Sequence, residues 1–203
     1  HACGEGLDRI FRILLDAGAN ARWKDDIGFS AISRACGCGH LSIVEMLLNH
    51  DNGLLEVDAP CKQTPLLVAI EYQHFEVAHF LLDRGANALA TNKHGSTALI
   101  IACGPGANLR LVRRLLAAGV PVDARDMEQL TALHYAAFGC NTAVVRELIV
   151  EHNANMFARD QSRNTPFDSV EPSASAGEIY AFLFDCYGNK LTQENDRLAL
   201  HAA

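Results

Sequence analysis

Two thiols and an imidazole fall within five residues at Cys36-Gly37-Cys38-Gly39-His40, a grouping that could open a zinc site. Structural zinc takes four ligands, and no fourth donor follows at a suitable spacing. His134 could be imagined as a general base. Gly104-Pro105-Gly106 is glycine-rich, but a phosphate cradle needs a strand ahead of it and Lys-Ser/Thr behind it, and neither is present. Arg110, Arg113 and Arg114 share a helical face, most simply a solvated outer surface. No nucleophile, base and orienting group assemble, so the chain is expected not to be an enzyme and to need no metal or cofactor.

All of these residues sit inside a recurring unit. Ser30-Ala31-Ile32, Thr64-Pro65-Leu66, Thr97-Ala98-Leu99, Thr131-Ala132-Leu133 and Thr165-Pro166-Phe167 begin at intervals of 34, 33, 34 and 34 residues. An alanine follows five residues after each of the first four starts, at Ala35, Ala69, Ala102 and Ala136. A fixed period in this range signals stacked supersecondary units. Each hydroxyl residue can cap a short first helix, and Pro65 and Pro166 fall where a missing N–H costs nothing. A second helix follows with a one-sided apolar stripe: Leu7, Ile10, Phe11, Leu14 and Leu15, then Ile43, Val44, Leu47 and Leu48. Leu111, Val112, Leu115 and Leu116 repeat the stripe, as do Val144, Val145, Leu148 and Ile149. Gly18, Gly85 and Gly119 end their helices.

Departures from the pattern fall at definite places. Asp51-Asn52-Gly53-Leu54-Leu55 makes the second closing loop irregular, and Gly104 to Asn108 adds one residue between two helices. Glu171 to Gly177 interrupts the sixth unit and is expected to be a mobile loop. A glycine slot in the loops holds Gly28 and Gly95 but also Lys62, Gln129 and Arg163. The approximate units are 1–24, 25–58, 59–91, 92–125, 126–159 and 160–192, with a further one starting over 193–203. Ala2-Cys3-Gly4 aligns with Ala35-Cys36-Gly37, and Leu198 to Ala203 with the Thr131 segment, so the chain is expected to be a piece of a longer protein.

The units resemble ankyrin repeats. The opening reads Thr131-Ala132-Leu133-His134-Tyr135-Ala136-Ala137, the middle Gly39-His40, and the close Leu14-Leu15-Asp16-Ala17-Gly18-Ala19-Asn20 or Leu81-Leu82-Asp83-Arg84-Gly85-Ala86-Asn87. The resemblance implies an all-α solenoid of about six helix pairs, with hairpin-like loops lining a concave face. It also makes Cys36 a core residue, Gly39-His40 an inter-helix turn and His134 a structural residue at a helix start. Ser33, Leu67, Ile100 and Asp168 fill the His134 slot elsewhere.

Hydrophobic residues at 49% and charged residues at 20% exclude a disordered tail. A net charge of −7 argues against a nucleic-acid or anionic-membrane partner. No apolar run is long enough to span a membrane. Seven cysteines, three of them (Cys3, Cys36, Cys103) in one inward slot, read as buried thiols in a reducing compartment, cytoplasmic or nuclear.

By the resemblance, partners dock on the loop tips and the first helices. The partner-binding set is Trp23, Ile27, Phe29, Arg34, Val68, Glu71, Tyr72, Lys93, His94, Ile101, Met127, Leu130, Tyr135 and Phe138, with Pro60 and Cys61 on the second tip. Phe29 and Leu130 are the two whose slots best suit packing between adjacent loops. The expected function is non-enzymatic binding of a partner protein segment by a monomeric array. The alternative is a regulatory or targeting part of a larger enzyme or channel.

Overall fold

The computed structural model describes residues 5–56, 63–170, 176–186 and 188. Ala2-Cys3-Gly4, Pro60, Cys61, Lys62, residues 171–175 and the expected unit over 193–203 lie outside them. Helices α1 (Glu5–Asp16), α2 (Ala31–Cys38), α3 (Leu41–His50), α4 (Pro65–Glu71) and α5 (Phe75–Asp83) are followed by α6 (Ala98–Ala102), α7 (Leu109–Ala117), α8 (Ala132–Phe138) and α9 (Thr142–Arg146). A last helix, α10, covers 176–186. No strand occurs among the described residues. Isolated bridges from Lys24 to Ser30 and from Thr91 to Thr97 close loop tips.

The helices form two layers. Short helices α2, α4, α6 and α8 pack in sequence, as do α1, α3, α5, α7 and α9, and each short helix also packs on the long one that follows it. The apolar stripe decides this arrangement. Ile43, Val44, Leu47 and Leu48 of α3 are buried, and so are Leu111, Val112 and Leu115 of α7. A lone helix pair has nothing to cover that stripe, so neighbouring pairs supply the cover.

Short helices need help at their ends, because four N–H groups there lack a partner within the helix. The Oγ of Ser30 accepts from Ser33 N–H at 3.3 Å, and Thr97 accepts from Ile100 N–H at 3.3 Å. At α8, His134 Nδ1 accepts from the N–H and hydroxyl of Thr131 at 3.2 and 2.9 Å. Its Nε2–H donates to the Asn164 carbonyl at 3.3 Å, so one imidazole ties a helix start to the next loop. Burial holds its pKa below the usual histidine value.

The sixth unit departs from the expected helix pair. Thr165 is capped by Asp168 Oδ2, which accepts from its N–H at 2.8 Å and its hydroxyl at 2.7 Å. Only a turn over 166–169 follows. Ala176 and Gly177, expected in a mobile loop, begin α10, whose Ile179 and Leu183 are buried.

Two irregularities absorb sequence changes. Asn52–Glu56 forms a 3₁₀ turn that buries Leu54 and Leu55 where the expected closing loop is missing. Beyond α9, Glu147–Glu151 is a π-helical turn. In earlier units the closing bond joins residues five apart, as in Ala86 N–H to the Leu81 carbonyl and Val120 N–H to the Leu115 carbonyl. Here Ala154 N–H reaches back six residues to the Leu148 carbonyl, so one inserted residue is carried as a bulge.

Gln129 and Arg163 adopt φ of 63° and 68°, in the slot where Gly28 and Gly95 have 87° and 74°. A side chain there crowds its own backbone and costs about 1–2 kcal/mol. Replacing both Gln129 and Arg163 by glycine is expected to raise the thermal midpoint by ~2–4 °C once glycine's extra unfolded-state freedom is subtracted, as a calorimetric scan would read. On the outer layer, His79 is buried and its Nε2 has no hydrogen-bond partner among the described residues. Burial, and then Arg110 and Arg114, push its pKa below the ordinary 6.5, against smaller upward pulls from Glu76 and Asp83. The unfolded chain therefore takes up the proton first as pH falls. Stability from neutral His79 is complete above about pH 6.5 and is lost as pH drops through the lowered folded value. His79→Leu is expected to flatten the decline in urea-melt stability just below that pH.

Candidate functional site

Four of the loop tips are built around one acceptor, five residues ahead of the cap hydroxyl: Asp25, Asn92, Asp126 and Asp160. Asp25 Oδ1 accepts from the N–H groups of Ile27 and Phe29 at 3.2 and 2.8 Å. Asn92 Oδ1 accepts from those of His94 and Ser96, and Asp126 Oδ1 from those of Glu128 and Leu130. Aspartate and asparagine suit this task because their short side chains reach backbone amides two to four residues on. The signal was present as an Asp/Asn at the repeat period, but these residues were absent from the expected binding set.

Adjacent tips are joined. Met127 N–H donates to the His94 carbonyl at 2.9 Å, and Gln161 N–H to the Glu128 carbonyl at 3.0 Å. The Gln161 side-chain amide also reaches the Met127 carbonyl. The tips around 92–97, 126–131 and 160–165 thus form a continuous ledge beside α6 and α8.

The expected binding residues divide by exposure. Trp23, Ile27, Tyr72, Met127 and Phe138 are exposed, Trp23 at 64% and Met127 at 63%. Arg34, Glu71, Lys93 and His94 are exposed as well, and Phe29, Ile101, Leu130 and Tyr135 are half-buried. Val68 is a correction: it is 0% exposed and unavailable to a partner. Its Cγ1 lies 3.4 Å from where a Cβ on Gly37 would stand, so the missing side chain lets α4 seat Val68 against α2. Arg34 is already engaged. It pairs with Asp25 at 2.7 Å and its guanidinium lies 4.4 Å from the centre of the Phe29 ring.

Tyr135 holds the equivalent place three units on, its hydroxyl donating to Asp126 Oδ2 at 3.0 Å. Burial, and then the Asp126 carboxylate, push its pKa to about 12. The ring forms a wall between two hollows. One, of about 290 Å³, is lined by Ile70, Glu71, Ile101 and Tyr135, among others, and by the Gly104-Pro105-Gly106 insertion. The other, of about 240 Å³, is formed by Leu130, His134, Tyr135, Phe138 and Ser169 and is almost wholly apolar. Glu71, Ile101, Leu130, Tyr135 and Phe138 are thereby brought together, whereas Trp23 and Ile27 stand on a separate tip. Phe75 and Ser169 line these hollows without having been expected there.

The cysteine cluster is dispersed. Cys36 is buried, its thiol pushed far above the usual range by burial, while Cys38 is exposed on the other side of α2. Among the described residues no group of three or more His, Cys, Asp or Glu side chains could hold a metal. None of the described helices is long and apolar enough to cross a membrane. Arg113 and Arg114 of the outer face bridge second helices, to Glu147 at 2.7 Å and to Asp83.

Comparison with known proteins agrees with this geometry. The family described as "Ankyrin repeats (3 copies)" matches residues 1–92 and 86–160. The chain belongs to the ankyrin-repeat family. It is 30% identical over 163 residues, 80% of its length, to the transient receptor potential cation channel subfamily A member 1 homolog of Caenorhabditis elegans, covering 13% of that protein. It is 30% identical over 158 residues, 74% of its length, to the B-cell lymphoma 3 protein homolog of Mus musculus, covering 35% of it. The chain therefore spans well under two thirds of these relatives. Ankyrin repeats are protein-interaction modules and are generally non-catalytic.

Asp126→Asn is expected to lower the ionisation of Tyr135 from about 12 toward the ordinary tyrosine value near 10, removing the carboxylate while leaving the burial. A phenolate absorbance titration against Tyr135→Phe isolates the signal.

Proposed function

We propose that this ankyrin array is a recognition module that binds a segment of a partner protein along the loop ledge and the α6–α8 face. The observation that carries the reading is the pair of hollows sharing Tyr135 as a wall, one of them lined by the exposed Phe138, with Met127 exposed on the adjoining loop tip. Soluble surfaces rarely gather large apolar groups around a cavity, and aromatic anchors in such hollows dominate binding energy. Lys93 and His94 on the neighbouring tip, both exposed, would act on encounter and orientation. Trp23 and Ile27 extend the surface on the first tip. The setting is intracellular, in keeping with the burial of the Cys36 and Cys103 thiols, and the array acts as a monomer.

A second reading places the array as the regulatory or targeting part of a larger protein, a role supported by the cation channel homologue, which is far longer than the matched stretch. The two readings share one binding surface.

Affinity capture with the array and with its Met127→Ala/Phe138→Ala variant, followed by titration of the captured protein, tests the proposal. The variant is expected to lose about 2 kcal/mol or more, roughly 30-fold in affinity, with an unchanged melting curve. Arg110→Ala on the opposite layer serves as control. Equal affinity of the groove variant for the captured protein moves the site elsewhere.

A further inference from the structure

The two hollows on either side of Tyr135 differ in chemistry, and the difference speaks to what a partner must present. The hollow over Leu130 and Phe138 offers almost no polar surface. Its neighbour combines an apolar floor, from Ile70 and Ile101, with the carboxylate of Glu71. Glu71 stands at the end of α4, exposed, and one of its oxygens accepts from the Gln63 amide. That donor is neutral, and among the described residues no cation pairs with Glu71.

Three of the other polar lining side chains are already engaged. Gln73 Nε2 donates to the Pro105 carbonyl at 3.2 Å, which pins the inserted Gly104-Pro105-Gly106 segment across the hollow's edge. Asn92 Oδ1 is held by the His94 and Ser96 amides. The Tyr135 hydroxyl is committed to Asp126, so its ring and not its hydroxyl is what the hollow offers. Among the described residues no Lys or Arg lines the cavity. A site with an apolar floor, an aromatic wall and one carboxylate without a counter-charge complements a long basic side chain. The methylene stem lies on apolar surface while the cationic head reaches the carboxylate and the ring face. The whole chain's net charge of −7 favours the approach of such a segment.

We infer that the hollow between Glu71 and Tyr135 is a subsite for an arginine or lysine side chain of the partner, next to an apolar side chain held by the Leu130–Phe138 hollow. The inference rests on the groove reading above and adds the chemistry of the bound segment. An acidic or purely aliphatic residue is a poor occupant: the first meets Glu71, and the second partly desolvates that carboxylate without supplying a counter-charge. The extra residue at Gly104–Asn108 acquires a role here, since its loop supplies one rim of the subsite.

The test uses small blocked amino acids and backbone NMR of the ¹⁵N-labelled array. N-acetyl-arginine methylamide is titrated beside its neutral isostere, N-acetyl-citrulline methylamide, and beside N-acetyl-norleucine methylamide. Saturable shifts of the Gly104 and Gly106 amides are expected with the arginine probe. Citrulline, Glu71→Gln, or a rise in salt from about 0.05 to 0.5 M should each weaken that binding by up to about fivefold, the range for a solvent-accessible ion pair. Glu71 is exposed, so Glu71→Gln should melt as the parent does. Equal response to citrulline and arginine, or no effect of Glu71→Gln, overturns the basic subsite. If norleucine shifts Phe138 while arginine leaves Gly104 and Gly106 unmoved, the basic subsite falls and the groove reading stands. If no probe produces a saturable shift, both fall.

Discussion

A helix pair of this length carries more apolar surface than its own two helices can cover. Ile43 and Leu47 on α3 are 7% and 0% exposed, held between flanking second helices, whereas Ile10 and Leu14, their counterparts one period earlier on α1, stand at 56% and 52%. The same residue types at the same helical positions are core or surface according to whether a neighbour covers them. Stability in such a stack is a sum of weak units and strong interfaces, so each pair is folded by the next. The layered architecture, the short first helices and the exposed ledge all depend on this.

Polar groups set the register that the apolar stripe leaves loose. His74 Nε2 bonds the Gly37 carbonyl at 3.0 Å, Asn141 Nδ2 the Ala107 carbonyl at 3.1 Å, and His134 Nε2 the Asn164 carbonyl, each about one period away. Apolar surfaces slide with little penalty, while each of these part-buried hydrogen bonds is directional and worth about 0.5–1.5 kcal/mol. On the outer layer, ion pairs from Arg113 and Arg114 to neighbouring second helices repeat the arrangement with charge.

The inner face is left free by the same economy of contacts. First helices α6 and α8 bury one side against the second layer and their neighbours, and turn Ile101, Tyr135 and Phe138 outward beneath the tips. Arg34 and Tyr135 occupy one slot and bond the equivalent tip carboxylate, Asp25 or Asp126, yet leave different surfaces: a charged group laid on Phe29, or a phenol ring walling two hollows. A shared scaffold thus carries unit-specific chemistry, and fold alone says little about partner choice.

Much of this was legible in the residues themselves. Cap hydroxyls, the inward cysteine slot and the stripes of the second helices follow from local rules of period and hydrogen bonding, which need only neighbours within a few residues, while the structural role of His134 came from the family resemblance. What depended on distant contacts was not. Val68 has the spacing of a surface residue, but Gly37 on the adjacent helix opens a seat that buries it. The residue inserted near Val150 gives no local sign of whether it lengthens a loop or bulges a helix; in the folded array it is carried by the π-helical turn Glu147–Glu151, whose Glu147 pairs with Arg113 of the neighbouring second helix. The hollows around Tyr135 belong to no single unit, being bounded by side chains from successive repeats. A periodic sequence determines the tile and its stacking, and the gaps between tiles exist only once they are stacked.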